Sequence, residues 1–181
     1  MSDLTITHAG STVTQTRQEV LSNNKKLNQM KVDLIDVEPT VDTSAYTAGD
    51  LMFAPIKIEN AVAVKGGSAI IQSIAVANAD ALTGAFDIVF TQSSNSPGDL
   101  NDPIASETGL SAANADKVLG VVSISNMVDV GVTSIGGKTN IGMVIKAVNT
   151  SRDIYAFGIA QSTDNPTTDT GYKLRIGVVQ D

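Results

Sequence analysis

With 181 residues, a net charge of −7 and a hydrophobic fraction of 42%, the chain is long enough for one domain with a full core and too apolar to be disordered throughout. Its acidity argues against a phosphate-backbone partner, which wants clustered Lys and Arg, and the absence of cysteine removes disulfide frameworks, thiolate metal sites and cysteine nucleophiles. Aromatics make up 4% and Trp is absent, so the core must be built from Ile, Val, Leu and Ala, a composition that suits β-strands.

Residues 1–30 form a polar arm rich in Thr, Ser, Asn and Gln. It lacks the basic and apolar stretches of a signal peptide, and no apolar run in the chain approaches the roughly 18 residues of a membrane span. Synthesis in the cytoplasm and no membrane partner are therefore expected. Leu4, Ile6 and Val13 alternate loosely with Thr, the grammar of a strand. Thr16-Arg17-Gln18-Glu19 matches a capping box, in which hydroxyl and carboxylate satisfy the free amides of a helix start, so a short helix through Val20 and Leu21 is predicted. The plain reading of such an extended or partly helical arm is a mobile tail. The sharper one is an arm that becomes ordered on a neighbouring subunit, through Leu4, Ile6, Val13, Val20 and Leu21, with strand addition by residues 1–12 as one docking mode.

From Lys31 to Asp181 the pattern is that of a β-domain. Val32 and Leu34 share one face while Ile35 and Val37 take the other, which suggests a bulge near Leu34-Ile35. Pro39 stops the ladder, and residues 40–50 read as a loop. Phe53 to Asn60 resumes extended structure, with Ile56 and Ile58 inward. Gly66-Gly67-Ser68 reads as a turn. Ala69 to Asn78 is apolar on both faces and hence central. Phe86, Ile88 and Phe90 alternate with Asp87, Val89 and Thr91. Ser93 to Asn114 is the longest interruption, of a length that points to function or an interface. Val118 to Ser125 returns to strand, with Met127 to Val132 continuing beyond a bend. Gly136-Gly137 reads as a turn into Asn140 to Val148, where Ile141, Met143, Ile145 and Ala147 share a face. Tyr155, Phe157 and Ile159 share another. Tyr172, Leu174, Ile176 and Val178 alternate with Lys173 and Arg175 in the closing strand. Eight or nine strands at this spacing predict an all-β, antiparallel β-sandwich of jelly-roll type.

Chemistry is hard to find between these strands. His8 is the single histidine, and it sits in the polar arm, away from any acid and nucleophile that would make a relay. Gly66-Gly67-Ser68 and Gly136-Gly137-Lys138 lack the spacing and following helix of a phosphate loop. Asp99, Asn101 and Asp102 form an oxygen-rich cluster, and Asp164, Asn165 and Asp169 a second, but neither keeps the register of a calcium loop. Solvated turn residues are the plain alternative. No catalytic, metal or cofactor-binding residue is assigned. A small hydrolase is disfavoured by the single histidine, and a carbohydrate-binding β-sandwich using calcium at Asp99 or Asp164 is the reading from another class.

Pro39-Thr40-Val41-Asp42-Thr43-Ser44-Ala45-Tyr46-Thr47-Ala48-Gly49-Asp50, the Gly66-Gly67-Ser68 turn with the strand Ala69 to Ile74, and the closing Leu174 to Asp181 resemble a group of small virion proteins of tailed bacteriophages. The likeness runs over residues 37–181 and leaves the arm outside it. It implies a capsid decoration (cement) protein on the virion surface that binds the major capsid protein and brings no catalytic residues. A head-fibre base, neck or tail component is the structural alternative. Closed symmetry around capsid axes makes self-association as a homotrimer the natural expectation.

Overall fold

The computed structural model describes residues 4–8, 11–15, 31–104 and 115–180. The chain divides into two units, Met1–Lys31 and Val32–Asp181. In the first, β1 (Leu4–His8) and β2 (Ser11–Gln15) pair antiparallel, from Leu4↔Gln15 to His8↔Ser11. The helix expected through Val20 and Leu21 lies outside the described residues.

The second unit holds β3 (Lys31–Val37), β4 (Leu51–Ile58), β5 (Ser68–Asn78), β6 (Phe86–Thr91), β7 (Val118–Ile124), β8 (Val128–Asp129), β9 (Ser134–Lys146), β10 (Ile154–Ala160) and β11 (Tyr172–Gln180). One sheet has the order β3-β11-β5-β9-β8 and the other β4-β10-β6-β7. The chain crosses between the sheets at almost every connection, and the last strand returns to lie between β3 and β5. This antiparallel double-sheet arrangement is that of a jelly roll, as the strand count predicts. Among the described residues no helix is long and apolar enough to cross a membrane.

Period-two alternation explains which side of each strand is buried. Tyr172, Leu174, Ile176 and Val178 of β11 all point into the sandwich, with Ile71, Ile74 and Val76 of β5 and Ile145 of β9. From the other sheet come Phe86, Ile88 and Phe90 of β6, Val122 and Ile124 of β7, and Ile154 and Ala156 of β10. Phe86 meets Tyr172 edge-on, ring centroids 5.8 Å apart, which ties the two sheets together. Each such aliphatic or aromatic side chain contributes about 1.5–3 kcal/mol on burial, so the interior is the main source of stability.

Several local expectations are corrected. The Leu34-Ile35 bulge is absent: β3 alternates regularly, with Val32 and Leu34 on the exposed face and Ile35 and Val37 inward. Gly136 and Gly137 lie inside β9, and the turn is made earlier, where Val130 N–H donates to the Thr133 carbonyl. A Cβ on Gly137 would stand 2.2 Å from the Ile74 carbonyl oxygen, and one on Gly136 2.7 Å from Met127 Sδ. The glycine pair is there for close approach and not for a reversal. Val128-Asp129 does not continue β7; it crosses to the other sheet and pairs with β9. Phe157 and Ile159 do share a face, as expected, and it is the outer face of the four-stranded sheet.

Leu174→Asp is expected to cost several kcal/mol, because a carboxylate would enter the sandwich without a partner. Denaturant unfolding measures it; a variant that unfolds like the parent would place position 174 on the outer face.

Candidate docking face

The outer sides of the two sheets differ. On the four-stranded sheet, Leu51, Val89 and Phe157 project outward, and the loop after β6 folds back over them through Leu100 and Ile104. That loop is fastened by Asn101 N–H to the Leu51 carbonyl and Leu51 N–H to the Asp102 carbonyl, both 2.9 Å, and by an Asp50–Pro103 bridge. Residues 100–104 of the long interruption are thus a cover; residues 105–114 lie outside the described residues.

The five-stranded sheet has no such cover among the described residues. Ion pairs across the face set the position of β3 on β11. Asp36 meets Arg175 in a two-point pair at 2.6 and 3.0 Å, Glu38 meets Lys173 at 3.0 Å, and Leu34 lies beside Gly177. Each step of two back along β3 matches a step of two forward along β11, which sets Val32 beside Val179. Val179 pairs with Ile70, and Ile70 with Val144. An apolar band therefore runs over four adjacent strands, with Val32 69%, Leu34 62% and Val144 64% exposed.

Next to this band is a groove of about 840 Å³. Ala75 and Ala77 form its floor, the Asp36–Arg175 and Glu38–Lys173 pairs one wall, and Val128 and Ile135 the other. The Arg175 hydrogen bonds hold the Asp36 carboxyl below its ordinary pKa. Both pairs are well exposed and contribute little to stability. Their geometric effect is to flank an apolar surface with charge of both signs, the composition of an interface core and rim.

The residues that carry the virion-protein resemblance are structural. Asp42 Oδ1 accepts from Ser44 N–H and Asp50 Oδ2 from Thr47 N–H, both at 2.6 Å. Tyr46 is buried; its hydroxyl donates to the Met52 carbonyl at 2.9 Å and accepts from Asp42 N–H at 2.6 Å. Burial pushes that hydroxyl up to about 12. Gly49 turns the backbone with a left-handed φ of 100°. The loop is tied to residues 160–169 by Val41 N–H to the Asp169 carbonyl, Tyr46 N–H to Asp164 and Gly49 N–H to Ala160, each 2.8 Å.

The two oxygen-rich clusters are tied into their loops through the backbone, while the buried Asn101 Oδ1 has no hydrogen-bond partner. Asn101 and Asp102 belong to the fastened cover, and Asp169 lends its carbonyl to Val41. Asp80, outside both clusters, accepts from the amides and hydroxyls of Thr167 and Thr168 and so fixes the hairpin loop. Asp164 is turned inward against Gly84. Among the described residues no group of three or more His, Asp or Glu is placed to hold a metal. Of the partner-binding residues, Leu4, Ile6 and Val13 fall on the hairpin β1–β2, and Val20 and Leu21 outside the described residues. The apolar band was missed. Its signal was Val32 and Leu34 standing in phase with Asp36.

No protein-family model matches the chain, and no curated protein is similar to it. Among solved structures it is similar to a chain from Desmodium yellow mottle tymovirus, at 13% identity over 84% of this chain and 87% of that one, with a TM-score of 0.28. A likeness that loose carries no argument; the fold rests on the strand order itself.

Burial raises the Asp164 pKa, the Gly84 amide opposing it. A carboxyl raised in the folded state binds its proton more tightly there than in the unfolded chain. Its contribution favours folding at acid pH and is lost as pH climbs through the raised value. Asp164→Asn should therefore raise Tm at neutral pH, by about 2–4 °C for each kcal/mol relieved. The gap between variant and parent should close below the ordinary carboxylate range. A gap that does not change with pH would show that Asp164 carries no such penalty.

Proposed function

We propose that this chain is a virion structural protein, a capsid decoration or cement protein of a tailed bacteriophage, which lays the bare outer face of its five-stranded sheet on the major capsid protein and stabilises the shell. The observation that carries the reading is the difference between the two outer faces. One is sealed by the chain's own loop, while the other shows Val32, Leu34 and Val144 to solvent beside a groove with charged walls. An exposed apolar band of that kind marks a protein interface. The resemblance of residues 37–181 to small virion proteins supplies the partner class.

A stiff slab suits this work. Each copy needs only modest affinity, because contacts repeated over a lattice add through multivalency. A homotrimer on a symmetry axis is the arrangement we assign, and the role involves no catalytic step and no cofactor.

The test is binding of the purified full chain to expanded empty shells. The parent should saturate them at hundreds of copies per particle. Leu34→Lys and Val144→Lys change exposed side chains, so each should keep the parental Tm and reduce occupancy at least tenfold, the equivalent of about 1.4 kcal/mol. Parental occupancy by both variants would overturn the docking face. Saturation at a handful of copies would move the role to a neck, tail or fibre base.

A further inference from the structure

Among the described residues the most exposed large apolar side chain is Val132, at 86%. It stands at the tip of the hairpin between β8 and β9, close to Val130, which is 58% exposed. The tip is firmly built. Asp129 Oδ1 accepts from Gly131 N–H at 2.7 Å, Val130 N–H donates to the Thr133 carbonyl at 2.9 Å, and Gly131 turns the backbone with a left-handed φ of 117°. Two valines are thus held out in water on a preformed turn, which loses little freedom on meeting a partner.

The root of this hairpin is one wall of the groove on the five-stranded sheet. Val128 pairs with Ile135 and Ile135 with Ala77, so the ladder fixes the hairpin at the side of the groove. The tip lies beyond that ladder and cannot enter its own groove without breaking it. An apolar knob and an apolar hole therefore stand side by side on one copy, and neither can satisfy the other. Size agrees, since a groove of about 840 Å³ takes a molecule of drug size, and a Val-Gly-Val turn is no larger. Charge agrees too. Asp129 is the single charge of the tip, and the facing wall carries Lys173, whose ammonium keeps donors to spare beyond its contact with Glu38.

We propose that the tip of each copy seats in the groove of the next, with Val130 and Val132 over Ala75 and Ala77 and Asp129 turned to Lys173. The giving and receiving surfaces differ, so the contact is head-to-tail; closed at three it is the homotrimer assigned above, and the count of three rests on that reading. A copy in the ring gives one tip and receives another. Together these cover on the order of 800 Å² of its surface, what a standard interface takes from each partner. Val144 pairs with Ile70 near the start of β5, whereas Ala75 and Ala77 lie near its end, so the apolar band stays open to the shell.

Sedimentation of the purified full chain, with no shells present, tests the contact. The parent should be a trimer. Val132→Asp and Ala75→Arg change exposed side chains, one on the tip and one on the groove floor. Each should keep the parental Tm and weaken association by about tenfold or more, leaving a monomer where the parent is assembled. Val132→Ile should stay trimeric. A monomeric or dimeric parent, or a trimer that either charged variant leaves intact, would overturn the proposal, including the case in which another segment or another protein fills the groove. Trimers that fail to load shells would remove the virion reading and leave the contact standing.

Discussion

Insertion of β11 between β3 and β5 is the constraint on which the rest depends. Neither neighbour touches the other across the sheet, so the five-stranded layer cannot exist until residues 172–180 are in place. The strand meets that demand on both sides. Leu174, Ile176 and Val178 seat the inner face, while Lys173 and Arg175 reach across to Glu38 and Asp36 on the outer one. The exposed pairs set position, and the buried aliphatics supply the energy. Contacts of this kind join distant parts of the chain, with Asp36 and Arg175 far apart in sequence, so folding must close long loops before gaining much.

The alternation of β11 and the two apolar faces of β5 were legible because one chemical pattern had one physical meaning. Where two meanings compete, the sequence misleads. A glycine pair is both the commonest turn signal and a way to let backbones and side chains approach closely; at Gly66 it is the first, at Gly136 the second. Nothing local distinguishes them, since the deciding atoms belong to Ile74 and Met127. Similarly, Val32-Asp33-Leu34-Ile35 is apolar on both sides. Reading it as a bulge assumed that every valine seeks the core, whereas half of these residues belong to a surface. Phe157 presents the converse case, an outward side chain that is buried because Leu100 returns to meet it.

The candidate site was less legible than the fold for the same reason. The exposed apolar band is assembled from single residues on separate strands: Val32, Leu34, Ile70, Val144 and Val179. None is unusual within its own segment, and only register brings them into line. The motif that did stand out, with Asp42, Tyr46, Gly49 and Asp50, serves the loop that closes one end of the body. Conspicuous punctuation and exposed apolar surface are different things in this chain.

The loop that closes over the four-stranded sheet makes the two broad sides of the body unlike. Apolar side chains already covered by Leu100 and Ile104 have little left to gain from further contact, whereas Val32, Leu34 and Val144, left in water, lower the free energy of the whole when something covers them. The body has a front and a back.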